Sequence, residues 1–280
     1  MRDYGDVIET VGDLPPMPIV AVKVLELLQD PDNSIKQLAD TISLDSAVSA
    51  RMLKIANSSM YSFTRQITTL QNALVLLGER TVRSLVLASS MASVNRKYGL
   101  LEKLLWEESV GCALAARYLS EKLKVANPDE AFLAGLFSNL GKIVRNNNDP
   151  ERYRELVEAV YNGAGDYLTL EEEVFSVPYS TVGAAVLSSW KIAPLLVEAV
   201  HCQMDMSLAE DEDVANLAAV VNIAANFCIK LGIGYRQPDE DLDLSGCAGV
   251  KKFGISAEKL AIMTAEFADV FEENRDAFIQ

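Results

Sequence analysis

The chain offers few residues able to do chemistry, and their spacing excludes most of it. Its single histidine, His201, stands among 40 acidic residues. Metal sites for hydrolysis draw several ligands from imidazole, and one histidine cannot supply a pair. No serine or cysteine lies beside a histidine in the local pattern of a nucleophile and its base. Gly232-Ile233-Gly234 has neither a preceding strand nor a following helix, so it does not read as a phosphate cradle. His201 itself, between Val200 and Cys202, is expected to pack rather than to ligate, as are Met204 and Met206. The expectation is a chain that binds something without transforming it, and that needs no metal or other cofactor.

Composition narrows the partners. The 280 residues carry a net charge of -15, unevenly placed. Residues 1–95 hold ten acids and eight bases, and the remainder holds 30 acids and 17 bases. So acidic a surface repels phosphate backbones at long range and disfavours non-specific nucleic-acid binding. Residues 34–57 are spaced like a helix-turn-helix, but Arg51 and Lys54 would be its only bases, offset by Asp40 and Asp45. No run of 18 uncharged apolar residues spans a membrane, and Met1-Arg2-Asp3-Tyr4-Gly5-Asp6 lacks the apolar core of a secretory signal. Cys112, Cys202, Cys228 and Cys247 are widely separated, as expected for reduced thiols in a cytoplasmic protein. Glu210-Asp211-Glu212-Asp213 reads as a solvated helix start.

The elements that must position these residues are helices. Ser34 with Gln37 and Thr68 with Gln71 form capping boxes, and Asp45 caps the helix carrying Val48, Met52 and Ile55. Gly78 and Gly141 read as helix stops. Asn127-Pro128-Asp129-Glu130 and Asp149-Pro150 start further helices, Gly232 ends a long one, and residues 233–255 read as a loop. A final helix is expected from about 257 to 273. The predicted class is all-α, with an N-terminal helical lobe at 1–98, a second lobe at 99–235, and a loop and helix at 236–280 packing on the same domain.

Ordered segments carry a resemblance. Leu14-Pro15-Pro16-Met17-Pro18 precedes the first patterned helix, followed by Ser43-Leu44-Asp45 and Leu53-Lys54-Ile55-Ala56-Asn57-Ser58-Ser59-Met60-Tyr61. Thr69-Leu70-Gln71-Asn72-Ala73 leads to Leu76-Leu77-Gly78, and Ala131 to Lys142 continues in register. This succession, over residues 12 to 230, resembles the HDOD family, the HD-related output domains of bacterial signalling. The resemblance implies a two-lobed, HD-like helical fold. Within it, Leu14, Pro15, Pro16, Asn57, Ser58, Leu77, Gly78 and Gly141 are motif positions with structural roles. It further implies kinship with metal-dependent phosphohydrolases, whose metal is held by an adjacent His-Asp pair. That pair would fall at Ser138 and Asn139, which are poor ligands. The other family ligands would fall at or beside Glu108, near Gln203 and Met204, and near Ala225 or Asn226. Only Glu108 keeps a metal-binding side chain, so a former catalytic pocket filled by structural groups is preferred over a residual Mg- or Mn-type site.

The functional expectation is a non-catalytic signalling module that acts by binding proteins, with no nucleic-acid or membrane partner and with the oligomeric state left open. The alternatives are a phosphohydrolase with altered ligands and a small-molecule sensor using the vacated pocket, lined by Ser138, Asn139 and Gln203. The stiff Leu14-to-Pro18 segment could dock on another protein, but docking on its own core is preferred.

Overall fold

Helices alone make the regular structure of the described residues, which are 4–61, 63, 65–91, 93–94 and 99–279 of this computed structural model. In chain order α1 (Gly5–Val11) is followed by α2 (Ile19–Gln29), α3 (Ile35–Ser43), α4 (Ser46–Ala56) and α5 (Leu70–Met91). Next come α6 (Leu100–Leu123), α7 (Pro128–Phe137), α8 (Leu140–Asn148), α9 (Pro150–Tyr161) and α10 (Tyr167–Val174). The last are α11 (Tyr179–Ser189), α12 (Pro194–Cys202), α13 (Glu212–Leu231), α14 (Ala248–Phe253) and α15 (Ala257–Phe278). The all-α class read from the sequence is what the chain adopts.

Side chains start these helices where short polar residues precede apolar runs. Ser34 and Gln37 close a capping box on α3, and Asp45 accepts from the amides of Ala47 and Val48. Asn127, ahead of Pro128, accepts from Asp129 and Glu130, and Asp149 accepts from Arg152. Each such cap satisfies amides that the helix leaves unpaired. At α5 the cap is Thr69, whose hydroxyl accepts from the Asn72 amide, one residue beyond the expected Thr68 box.

The chain forms two compact units, Met1–Pro16 with Asn95–Leu260 and Met17–Val94 with Ala261–Gln280. This differs from the division expected at 1–98, 99–235 and 236–280. The boundary expected at residue 98, and residues 1–3 of the N-terminal hexapeptide, lie outside the described residues. The reasons are contacts between segments far apart in the chain. Pro15 is buried and its carbonyl accepts from Trp190 Nε1 at 2.8 Å, the Asn148 amide donates to Val11 and Asp13 carbonyls, and α1, missed in the sequence, packs on α11. The Leu14-Pro15-Pro16 motif thus docks on its own unit. At the other end, Asn274 Oδ1 accepts from Ser59 Oγ at 3.1 Å and from the Met60 amide at 2.9 Å, tying α15 to the helices of the second unit.

The larger unit is built on α6, α7 and α13. α13 is long and apolar enough to cross a membrane, but it packs against α6, α7, α12 and α14, and most of it is buried in the fold. Phe132, Phe137 and Phe227 are wholly buried there, each contributing about 1.5–3 kcal/mol. Within the expected loop at 233–255, α14 forms instead, anchored by the Gly249 amide on Asn222 Oδ1 at 3.1 Å. Gly141 does not end a helix. It lies in the first turn of α8, where a Cβ would come 1.9 Å from the Tyr179 carbonyl oxygen, so its absent side chain lets α8 lie against α11.

Candidate functional site

In the larger unit a carboxylate and an ammonium meet away from solvent. α6 carries Glu108 and α8 carries Lys142, with 5% and 7% of their surfaces exposed. Lys142 Nζ lies 2.8 Å from Glu108 Oε1. The Tyr235 hydroxyl donates to the same oxygen at 2.8 Å. Gly234, at φ 77°, makes this possible, because any Cβ there would fall 2.4 Å from Glu108 Cβ. The Gly232-Ile233-Gly234 segment therefore serves to deliver Tyr235 to Glu108. Two tyrosine rings complete the cage, Tyr179 at 4.9 Å and Tyr167 at 5.0 Å from Nζ, where their faces attract the cation.

Electrostatics favour the charged pair. Burial works against the Lys142 charge, but Glu108, Tyr179 and Tyr153 outweigh it and raise the lysine above its ordinary value. Burial likewise raises the phenols of Tyr153, Tyr179 and Tyr235, so these groups stay neutral well into alkaline solution. A second buried pair, Arg145 with Glu171, lies close by; Arg145 also donates to the Val177 carbonyl and stacks over Phe175. Burial raises the Glu171 carboxyl, opposed by Arg145.

Of the other positions singled out in the sequence, Met204 reaches this cage and the rest make contacts of their own. Met204 Sδ accepts from the Tyr179 hydroxyl at 3.1 Å. Gln203 Nε2 donates to the Ser138 and Val200 carbonyls, both at 3.0 Å, and the Gln203 carbonyl accepts from Asn222 Nδ2 at 3.1 Å. Ser138 is wholly buried and its hydroxyl donates back to Gly135 at 2.7 Å. Asn139 is buried too, and its Nδ2 has no partner. Asn226 donates into its own helix, to the Asn222 carbonyl. His201 sets its ring edge-on to Tyr4 at 6.1 Å.

This donor set does not fit a catalytic metal. Among the described residues, no three His, Cys, Asp or Glu side chains converge to hold an ion. Glu108, the one retained carboxylate, already faces an ammonium, and a divalent ion would have to displace it. The Ser138 hydroxyl is committed to backbone, and Asn139 offers a neutral amide where a metal would need a carboxylate. Sequence reasoning missed Lys142, Tyr167, Tyr179 and Tyr235. Only Lys142 left a local trace, a charged residue in the apolar run after Gly141.

The smaller unit uses the other motif residues for folding. Asn57 Nδ2 donates to the Leu53 and Ile67 carbonyls and its Oδ1 accepts from the Ile67 amide. Leu77 packs on the Ala56, Ile67 and Ala73 cluster, and Gly78 takes φ 75° and breaks α5. Arg51 donates to the Ser89 carbonyl instead of projecting as a recognition residue.

Comparison with known proteins agrees with the fold. The HDOD domain profile matches residues 14–206. A curated Treponema pallidum (strain Nichols) protein, named only as uncharacterized, is 22% identical over 230 residues. That alignment covers 80% of this chain and 44% of the relative, so the chain spans less than half of that relative's length. Among solved structures, an HDOD domain protein of unknown function from Geobacter sulfurreducens superposes with a TM-score of 0.77 at 23% identity, covering 98% of this chain and 95% of its own. A Shewanella amazonensis SB2B protein with a provisional phosphohydrolase name gives 0.74 at 24% identity, covering 98% and 97%. One from Marinobacter aquaeolei VT8, provisionally named for signal transduction, gives 0.66 at 16%, covering 99% and 60%. At these identities the structures attest the fold alone. With the family profile matched over more than half its length, the chain belongs to the HDOD domain family.

Proposed function

We propose that this chain is a non-catalytic regulatory output domain that acts through contacts with other proteins in the cytoplasm. The observation that carries the reading is the Lys142 ammonium set 2.8 Å from Glu108, the residue at or beside which the family resemblance would put a metal ligand. An internal cation neutralises the carboxylate, and two of the remaining ligand positions, Ser138 and Gln203, bond to backbone. Water cannot be activated by such a set, because no fixed shell of anionic or imidazole ligands is there to hold a metal beside it. The same packing disfavours a sensor in this place, since most of its polar groups already have protein partners.

The competing reading is a phosphohydrolase, the activity in the provisional names of two structural neighbours, one of them called metal-dependent. Turnover of bis(p-nitrophenyl) phosphate with added Mg2+, Mn2+, Fe2+ or Zn2+ separates the two. The proposal expects the background rate for the natural chain and for Glu108→Gln alike. A metal-dependent rate that Glu108→Gln abolishes would establish the hydrolase instead. For the protein contact, Ser138→Ala with Asn139→Ala should leave affinity for a purified partner within a few-fold, about 1 kcal/mol or less, in a variant shown by circular dichroism to fold. Loss of the partner from that folded variant would make the buried site the recognition site.

A further inference from the structure

The Asn57-Ser58 pair at the end of α4 divides its labour. Asn57 uses its whole amide to clamp the 67 loop, and Ser59 and Met60 bond Asn274. Ser58 does neither: its hydroxyl is shut off from solvent and has no hydrogen-bond partner. Four residues earlier, in the last turn of α4, Lys54 Nζ is in the same state. A withdrawn ammonium and a withdrawn hydroxyl without acceptors are costly, and such pairs in folded proteins ordinarily have a partner.

Both residues line one groove of about 560 Å³ in the smaller unit. Its walls include the apolar side chains of Leu53 and Ile67, with Thr68 and Glu273 also facing it. Lysine has a flexible four-carbon stem, so its ammonium can turn toward an acceptor that enters the groove. One cation balances one negative charge. A second would meet the Glu273 carboxylate and a chain of net charge -15. We infer that this groove binds a small monocarboxylate with an apolar body, its carboxylate accepting from Lys54 and Ser58 and its body lying on Leu53 and Ile67. The site is separate from the Glu108–Lys142 pair, and its occupancy does not depend on whether that pair is inert.

Amide-resolved NMR titration of the full chain tests this with hexanoate, the neutral isostere hexanamide, and inorganic phosphate. Hexanoate should shift the Lys54, Ser58, Ile67 and Thr68 resonances saturably, and hexanamide and phosphate should bind at least about tenfold more weakly. Lys54→Met should weaken hexanoate about tenfold or more, Ser58→Ala about threefold, and Glu273→Gln should strengthen it. Equal binding of hexanamide would reduce the site to apolar contact, and tighter binding of phosphate would overturn the single-charge argument. Undiminished affinity in Lys54→Met, or no saturable shift at all, would also overturn the inference. Should Lys54→Met disturb the whole spectrum, Ser58→Ala, which removes one oxygen, carries the test.

Discussion

Lys142 and Lys54 both withdraw their ammonium groups from solvent, one in each compact unit, and their surroundings differ in every other respect. Lys142 has a carboxylate at 2.8 Å, two aromatic faces and a neighbouring phenol that shares its carboxylate. Lys54 has no partner and borders an open groove. The first arrangement sets charge against charge inside the fold. The second lacks the acceptor that would complete it. A buried charge therefore marks opposite things according to its partners: a sealed structural centre in one unit, a receptive surface in the other.

Removing one member of the sealed pair should produce the largest effect. Lys142→Met leaves the Glu108 carboxylate buried and uncompensated, and urea unfolding should show a loss of about 3–5 kcal/mol. Adding Glu108→Leu should recover most of it, since an apolar pair of similar volume carries no desolvation cost. A loss below about 1 kcal/mol for the single variant would place the pair in effective contact with water, contrary to the contrast drawn here.

Alkaline titration sharpens the same side. Lys142 is raised because Glu108 and the phenols outweigh burial, and Tyr153, Tyr179 and Tyr235 are raised mainly by burial. All four hold their protons to higher pH folded than unfolded. Their stabilisation is whole below the unfolded values near pH 10 and is lost as pH rises beyond them, by about 1.4 kcal/mol per pH unit for each proton. Stability should be flat toward pH 9 and fall steeply above pH 10. Tyr235→Phe should make that fall shallower by about 1.4 kcal/mol per pH unit, and an unchanged slope would remove Tyr235 from the cage.

The smallest effect belongs to the groove. Lys54→Met removes an ammonium that has no partner, so in the absence of ligand it should be neutral or stabilising by up to about 1 kcal/mol in thermal unfolding. A cost like that of Lys142→Met would show that Lys54 is paired after all and would erase the difference between the units.

How much of this was legible follows from the range of the interactions. Ser34, Asp45, Asn127 and Asp149 act on amides two or three residues away, so their caps and the helices they start can be read along the chain. Gly141 was misread as a stop because its role depends on Tyr179, which α11 brings against it from 38 positions on. The grouping into two compact units rests on Trp190 with Pro15 and Asn274 with Ser59, pairings that no local pattern announces. That Ser138 and Asn139 are poor metal ligands was readable from their types alone. The buried cluster was not, since Glu108, Lys142 and Tyr235 come from three separated segments and only folding joins them.

The central claim is that an internal ammonium has taken the place of a metal at Glu108. Isothermal titration of the purified, chelator-treated chain with Mn2+ and with Zn2+ tests it most directly. The account predicts no stoichiometric binding at micromolar metal, and the same flat trace for Glu108→Gln. One ion bound per chain, lost in a folded Glu108→Gln variant, would contradict it.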